Sequence, residues 1–195
     1  VDGIREYEVA DVIERALKVA GADGTAFDTI VASGPNAALP HHKAGRRVIS
    51  EGDSVVIDMG ALYQGYRSDL TRTYFVGDSD RSKYDELYNI VLEAQIAAEE
   101  SARAGMLGSE LDGIARDIIG GYGYDSLFGH GLGHGVGIDV HELPMVVPSS
   151  ADRILPGSVF TIEPGIYVPG WGGVRIEDIL VMGDLSAQVL TLSPK

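Results

Sequence analysis

Four carboxylates stand in runs that otherwise read as apolar strands. Asp58 interrupts Val55-Val56-Ile57-Asp58-Met59, and Asp69 lies in Tyr66-Arg67-Ser68-Asp69-Leu70-Thr71. Glu163 follows Phe160-Thr161-Ile162, and Glu177 follows Val174-Arg175-Ile176. Burying a charge is costly unless something neutralises it. Asp58 and Asp69 are 69 − 58 = 11 residues apart, with their midpoint at Tyr63-Gln64, inside a turn-like Tyr63-Gln64-Gly65-Tyr66. An antiparallel hairpin would set them opposite each other, or nearly so. Glu163 and Glu177 are 177 − 163 = 14 residues apart, around Gly170 in Pro169-Gly170-Trp171-Gly172-Gly173. Like charges opposed in a sheet are destabilising unless a proton or a cation lies between them. Four such carboxylates suit hard divalent ions, enough for two with one or two of the ligands bridging. Whatever this chain folds into has to gather these groups.

Composition narrows the partners. The 195 residues fit one domain with a sizeable core, and 45% hydrophobic with 23% charged residues is ordinary globular usage. Lys and Arg number 15 against 29 Asp and Glu, so the formal charge is 15 − 29 = −14. That balance speaks against nucleic acid and against an anionic membrane surface. With no cysteine, disulfides, thiolate metal sites and cysteine nucleophiles drop out together. No apolar run reaches membrane-span length, and the first residues are not a signal peptide, so the cytoplasm is the expected compartment. The chain starts at Val1 rather than Met, as a fragment or a processed product would.

Residues 4–20 predict an amphipathic helix stopped by Gly21, and 28–33 a short strand followed by a turn-rich loop to His42. Residues 54–77 predict a hairpin, 81–104 and 109–119 two helices, and 158–162 and 173–182 further strands around a glycine-rich loop. The order gives an α+β domain with an antiparallel sheet.

The histidines are concentrated. His130, His134 and His141 fall within twelve residues, and His41 and His42 complete the five. Neutral imidazole binds metals and serves as an acid, a base or an oxyanion donor. The glycines of Gly129-His130-Gly131-Leu132-Gly133-His134-Gly135-Val136-Gly137 leave room for close approach. A phosphate loop is disfavoured by the missing Walker lysine and the absence of a strand–loop–helix context. Arg67 and Arg72 read as surface or packing residues. Arg175 shares a strand face with Glu177, where it would orient a ligand carboxylate or contact substrate.

The ordered contexts Ile-Asp-Met-Gly, Arg-Ser-Asp-Leu-Thr-Arg-Thr, Gly-His-Gly-Val-Gly, Thr-Ile-Glu-Pro-Gly and Val-Arg-Ile-Glu-Asp resemble the pita-bread metallopeptidases. That family holds methionine aminopeptidase, aminopeptidase P and prolidase. The resemblance runs from about Gly3 to the end, and it implies a curved antiparallel sheet flanked by helices. It implies five ligands for two divalent metal ions: Asp58, Asp69, His134, Glu163 and Glu177, with Asp69 and Glu177 bridging. The donor set suits Mn, with Co, Fe or Zn as competitors. It further implies that an activated water attacks the scissile carbonyl and that Glu163 shuttles its proton. His41, His130 and His141 would bind substrate and stabilise the tetrahedral intermediate.

Ser33 to His42, the extra His130 and the short Glu163-to-Glu177 spacing resemble the proline-specific branch. Its members act on peptides with proline in second position. Prolidases commonly carry an Arg a few residues after the third His, but Glu142-Leu143-Pro144-Met145-Val146-Val147-Pro148 has none. The expected activity is therefore Xaa-Pro aminopeptidase, with Xaa-Pro dipeptidase (prolidase) as the alternative. A non-catalytic pita-bread binding domain and a creatinase-like amidinohydrolase fit the intact ligand set less well. Residues 1–195 read as one catalytic domain, beginning after the family's first helix and N-terminal domain. Apolar surface left bare by that helix would favour self-association, a homodimer among its forms.

Overall fold

The computed structural model describes residues 3–195. In chain order the helices are α1 (Glu6–Val19), α2 (Ser82–Ser101) and α3 (Gly108–Gly121). The strands are β1 (Gly24–Thr25), β2 (Ile30–Ser33), β3 (Ser54–Met59), β4 (Ala61–Tyr63), β5 (Tyr66–Arg67), β6 (Leu70–Phe75) and β7 (Gly133–Gly135). They continue as β8 (Glu142–Val146), β9 (Val159–Ile162), β10 (Gly165–Val168), β11 (Gly172–Arg175), β12 (Asp178–Met182) and β13 (Ala187–Val189). Every sheet pairing is antiparallel, in the orders β2-β3-β6, β13-β12-β9-β7-β8, β10-β11 and β1-β4-β5. The α+β expectation is met. None of the described helices is long and apolar enough to cross a membrane.

Local chemistry sets the elements. The Glu8 carboxylate accepts a hydrogen bond from the Arg5 amide at 2.8 Å and so closes the first turn of α1. The apolar side of α1 packs Ala10 over Val31, Ile49 and Val55. Leu87, Val91, Ala94 and Ala98 of α2 and Leu111, Ala115 and Ile119 of α3 recur at helical spacing and are fully buried. They cover Phe160, Ile162, Val174 and Leu180, which makes the main core.

The two carboxylate hairpins differ in register. Between β9 and β12, Ile162 pairs with Asp178, and between β10 and β11, Gly165 pairs with Arg175. Both sums are 340, as is 163 + 177, so Glu163 and Glu177 stand opposite each other as predicted. In the first hairpin Asp58 pairs with Thr71 and Met59 with Leu70, so Asp69 is two residues away from the partner of Asp58. The cause is the turn. Gln64 and Gly65 both take positive φ, 53° and 85°, and centre the hairpin one residue later than the Asp58–Asp69 midpoint. The two aspartates are diagonal neighbours on one face, still within reach of a shared ion.

Strand β6 ties the hairpins together. The Glu177 amide donates to the Thr71 carbonyl at 3.1 Å, and Thr73 Oγ1 and the Arg175 backbone exchange bonds of 2.8 and 3.0 Å. Beneath this seam Arg72 is buried. It donates to the Glu177 carbonyl and to Asp178, both at 2.7 Å, and is a packing residue as read from the sequence.

Candidate metal centre

Five short segments deliver the predicted ligands. Asp58 comes from β3 and Asp69 from the residue before β6. His134 lies at the middle of β7, Glu163 just after β9 and Glu177 just before β12. All five line one cleft of about 580 Å³, together with His41, His130, His141 and Arg175. Every residue singled out for chemistry in the sequence therefore meets at one place.

Ligand atoms of Asp69, His134 and Glu177 lie within 4.8 Å of one another. His134 Nε2 is 3.3 Å from Glu163 and 3.7 Å from Asp69. The His134 Nδ1 is 3.0 Å from the Gly135 carbonyl, which can only accept. Nδ1 therefore donates to that carbonyl, and Nε2 faces the carboxylates. Burial would lower the His134 pKa, but Glu163 and Asp69 outweigh it and raise it, so a bound cation would take the place of the Nε2 proton. Asp58 Oδ2 accepts from the Arg175 guanidinium at 2.7 Å, while its buried Oδ1 has no hydrogen-bond partner among the described residues.

The electrostatics point the same way. Burial, with Asp58 and Glu163 nearby, pushes the Asp69 carboxyl up to about 8. Burial and the charges of Asp69, Glu163 and Asp58 push Glu177 far above the usual carboxylate range. Burial would also raise Glu163, but the hydrogen bond from His134 and the Arg175 charge outweigh it and hold it low. An unpartnered carboxylate oxygen, an imidazole Nε2 turned towards the carboxylates and crowded acids together fit divalent cations, which would relieve the repulsion.

Arg175 reaches Asp58 directly and Glu177 only through Thr71. Its Nε donates to Thr71 Oγ1 at 3.1 Å, and Thr71 Oγ1 donates to Glu177 at 2.7 Å. Its Nη1 donates to the Tyr167 hydroxyl at 2.9 Å. That hydroxyl lies 2.7 Å from His130 Nε2, and His130 Nδ1 lies 2.7 Å from the Gly131 carbonyl. By the same tautomer argument Tyr167 donates to His130, which burial keeps neutral. The His141 ring packs edge-on against His134, 4.3 Å between centroids.

Tyr167, Thr71 and, at the cleft rim, Lys43 are site residues that the sequence reading missed. The hairpin register could have found Tyr167. It pairs with Gly173, two residues from Arg175, which puts it diagonal to the guanidinium.

The sequence model of metallopeptidase family M24 matches residues 1–184. This chain belongs to metallopeptidase family M24. It is 53% identical over 190 residues to the Xaa-Pro dipeptidase of Pyrococcus horikoshii, covering 97% of this chain and 54% of that protein. Its M24 fold superposes on the prolidase from Pyrococcus furiosus with a TM-score of 0.98 at 50% identity, covering all of this chain and 58% of that one. The X-Pro aminopeptidase from Thermotoga maritima gives a TM-score of 0.96 at 44% identity, covering 99% of this chain and 54% of that one. The pita-bread architecture implied by the motifs is thus the fold of this M24 chain. The chain spans about half the length of the curated relatives it matches.

Proposed function

We propose that this chain is the catalytic part of an Xaa-Pro dipeptidase that works with two divalent metal ions, manganese first and cobalt, iron or zinc as competitors. The substrate assignment is carried by the Pyrococcus relatives named Xaa-Pro dipeptidase, 53% and 52% identical across nearly the whole chain. This departs from the aminopeptidase preferred on the missing arginine, since identity to the Thermotoga aminopeptidase is lower, 44%.

Asp58, Asp69, His134, Glu163 and Glu177 would hold the ions. Bound there, they would polarise the scissile carbonyl and lower the pKa of water. The chain's own groups divide the remaining work. Glu163, held as a carboxylate, takes a proton and returns it to the leaving proline nitrogen. His41, His130 and His141 face the peptide, with His130 fixed by Tyr167. Arg175 fixes Asp58 and, through Thr71, Glu177. At the cleft rim Lys43 has, among the described residues, only the exposed Asp28 as partner, at 3.4 Å, and would take the free carboxylate of a dipeptide.

The test is hydrolysis by metal-stripped protein with and without manganese, on Ala-Pro and Ala-Pro-Ala. Manganese-dependent release of Ala with the higher kcat/KM on Ala-Pro is expected. A preference for Ala-Pro-Ala would return the aminopeptidase reading. No release from either, with the protein folded and manganese bound, would overturn both.

A further inference from the structure

Glu6 is fully buried in the first turn of α1, outside the set of groups assigned above. It accepts hydrogen bonds from five directions. Its Oε1 takes the Ser33 amide at 2.9 Å, the Ser33 hydroxyl at 2.8 Å and Asn36 Nδ2 at 3.0 Å. Its Oε2 takes His42 Nε2 at 2.9 Å and the Gly45 amide at 3.1 Å. Asn36 lies in the short 3-10 helix Gly34–Ala38, and His42 and Gly45 in the loop after it that carries His41 into the cleft. On its other side His41 is flanked by Pro40, whose carbonyl accepts from Arg175 Nη1 at 3.3 Å. His41 is therefore suspended between two anchors, Arg175 before it and Glu6 after it.

We propose that Glu6 is a positioning residue for His41, holding the 36–45 segment against the cleft through His42 and Gly45. The inference rests on the reading of the cleft as a peptidase site. Four of the five groups, the Ser33 and Gly45 amides, the Ser33 hydroxyl and the Asn36 amide, donate, which an ionised carboxylate satisfies, and His42 Nε2 then donates to it as well. Burial alone would raise the pKa of Glu6, but Asn36, His42 and Ser33 outweigh it and keep the charge. The arrangement also directs the damage of an amide. In Glu6→Gln the remaining carbonyl is best left facing Ser33 and Asn36, where three donors converge. The NH₂ group then faces Gly45 and His42, and the fault falls on the His41 arm.

A double-mutant cycle of Glu6→Gln and His41→Ala tests this, with Ala-Pro hydrolysis by the manganese-loaded protein as readout. If Glu6 acts through His41, Glu6→Gln lowers kcat/KM by about tenfold alone and less than about twofold in the His41→Ala background, with manganese stoichiometry unchanged. Equal losses in both backgrounds, or no loss in the first, would overturn the proposal. Should Glu6→Gln not fold, His42→Leu cuts the same link from its other end and enters the same cycle. Should the unmutated protein hydrolyse no Ala-Pro, the functional reading fails, and amide hydrogen exchange then decides. Faster exchange at residues 40–45 in Glu6→Gln, with residues 133–135 unchanged, supports Glu6 as the anchor; unchanged exchange at 40–45 refutes it.

Discussion

Asp69 and Glu177 are carboxylates that the protein alone holds poorly and a cation would hold well. Asp69→Asn or Glu177→Gln should lower Ala-Pro hydrolysis by more than about 100-fold, the upper loss typical of residues that only support a ligand, while circular dichroism stays native. Full activity in either variant would sink the metal assignment. The raised pKa of Asp69, about 8 against an ordinary 3.8, also fixes a pH dependence. Between those values the folded metal-free protein keeps a proton that the unfolded chain has released, so stability falls as pH rises. Metal-free protein should melt higher at pH 5 than at pH 8, and saturating manganese should remove the difference. At the rim, Lys43→Met should raise KM for Ala-Pro by about tenfold, the scale of one charge-assisted hydrogen bond, and leave Ala-Pro-Ala within about twofold. Equal effects on both peptides would show that Lys43 reads no terminal carboxylate.

At the scale of elements, β7 is built on close approach. A Cβ on Gly133 would lie 2.1 Å from the Thr161 carbonyl oxygen, whereas one on Gly129 would meet nothing within 4 Å among the described residues. Gly133→Ala should therefore destabilise by about 1–3 kcal/mol in urea melts and disturb His134, while Gly129→Ala stays within about 0.5 kcal/mol. The glycines around His134 looked permissive in the sequence, but only the neighbouring strand shows which of them is indispensable. The same division holds elsewhere. Periodicity located α1, α2 and α3, because their buried faces repeat every three to four residues. Spacing found the opposed Glu163 and Glu177 and put Asp58 opposite Asp69 or nearly so. Asp58 pairs with Thr71 and the two aspartates are diagonal, because turn geometry, not the midpoint of two charges, fixes register. Tyr167 and Glu6 escaped notice because a lone tyrosine or glutamate carries no pattern. Their meaning arises from contacts with His130 and with the 33–45 segment.

Across the whole molecule, the candidate ligands join two halves of the chain, Asp58 and Asp69 from one and His134, Glu163 and Glu177 from the other. Manganese should therefore act as a clasp between them. Chelation should lower the melting temperature, and manganese at about 100 times its Kd should return roughly 2.7 kcal/mol of stability. A melting temperature indifferent to manganese would mean that the ions add nothing to the join. The spread of ligands also has a consequence for synthesis. From Asp58 to Glu177 is 177 − 58 = 119 residues. At roughly 5–20 residues per second, about 6 to 24 s of translation separate the first ligand from the last. A nascent chain owns its aspartates long before it owns all five candidate ligands, so metal capture would be a late signature of finished assembly.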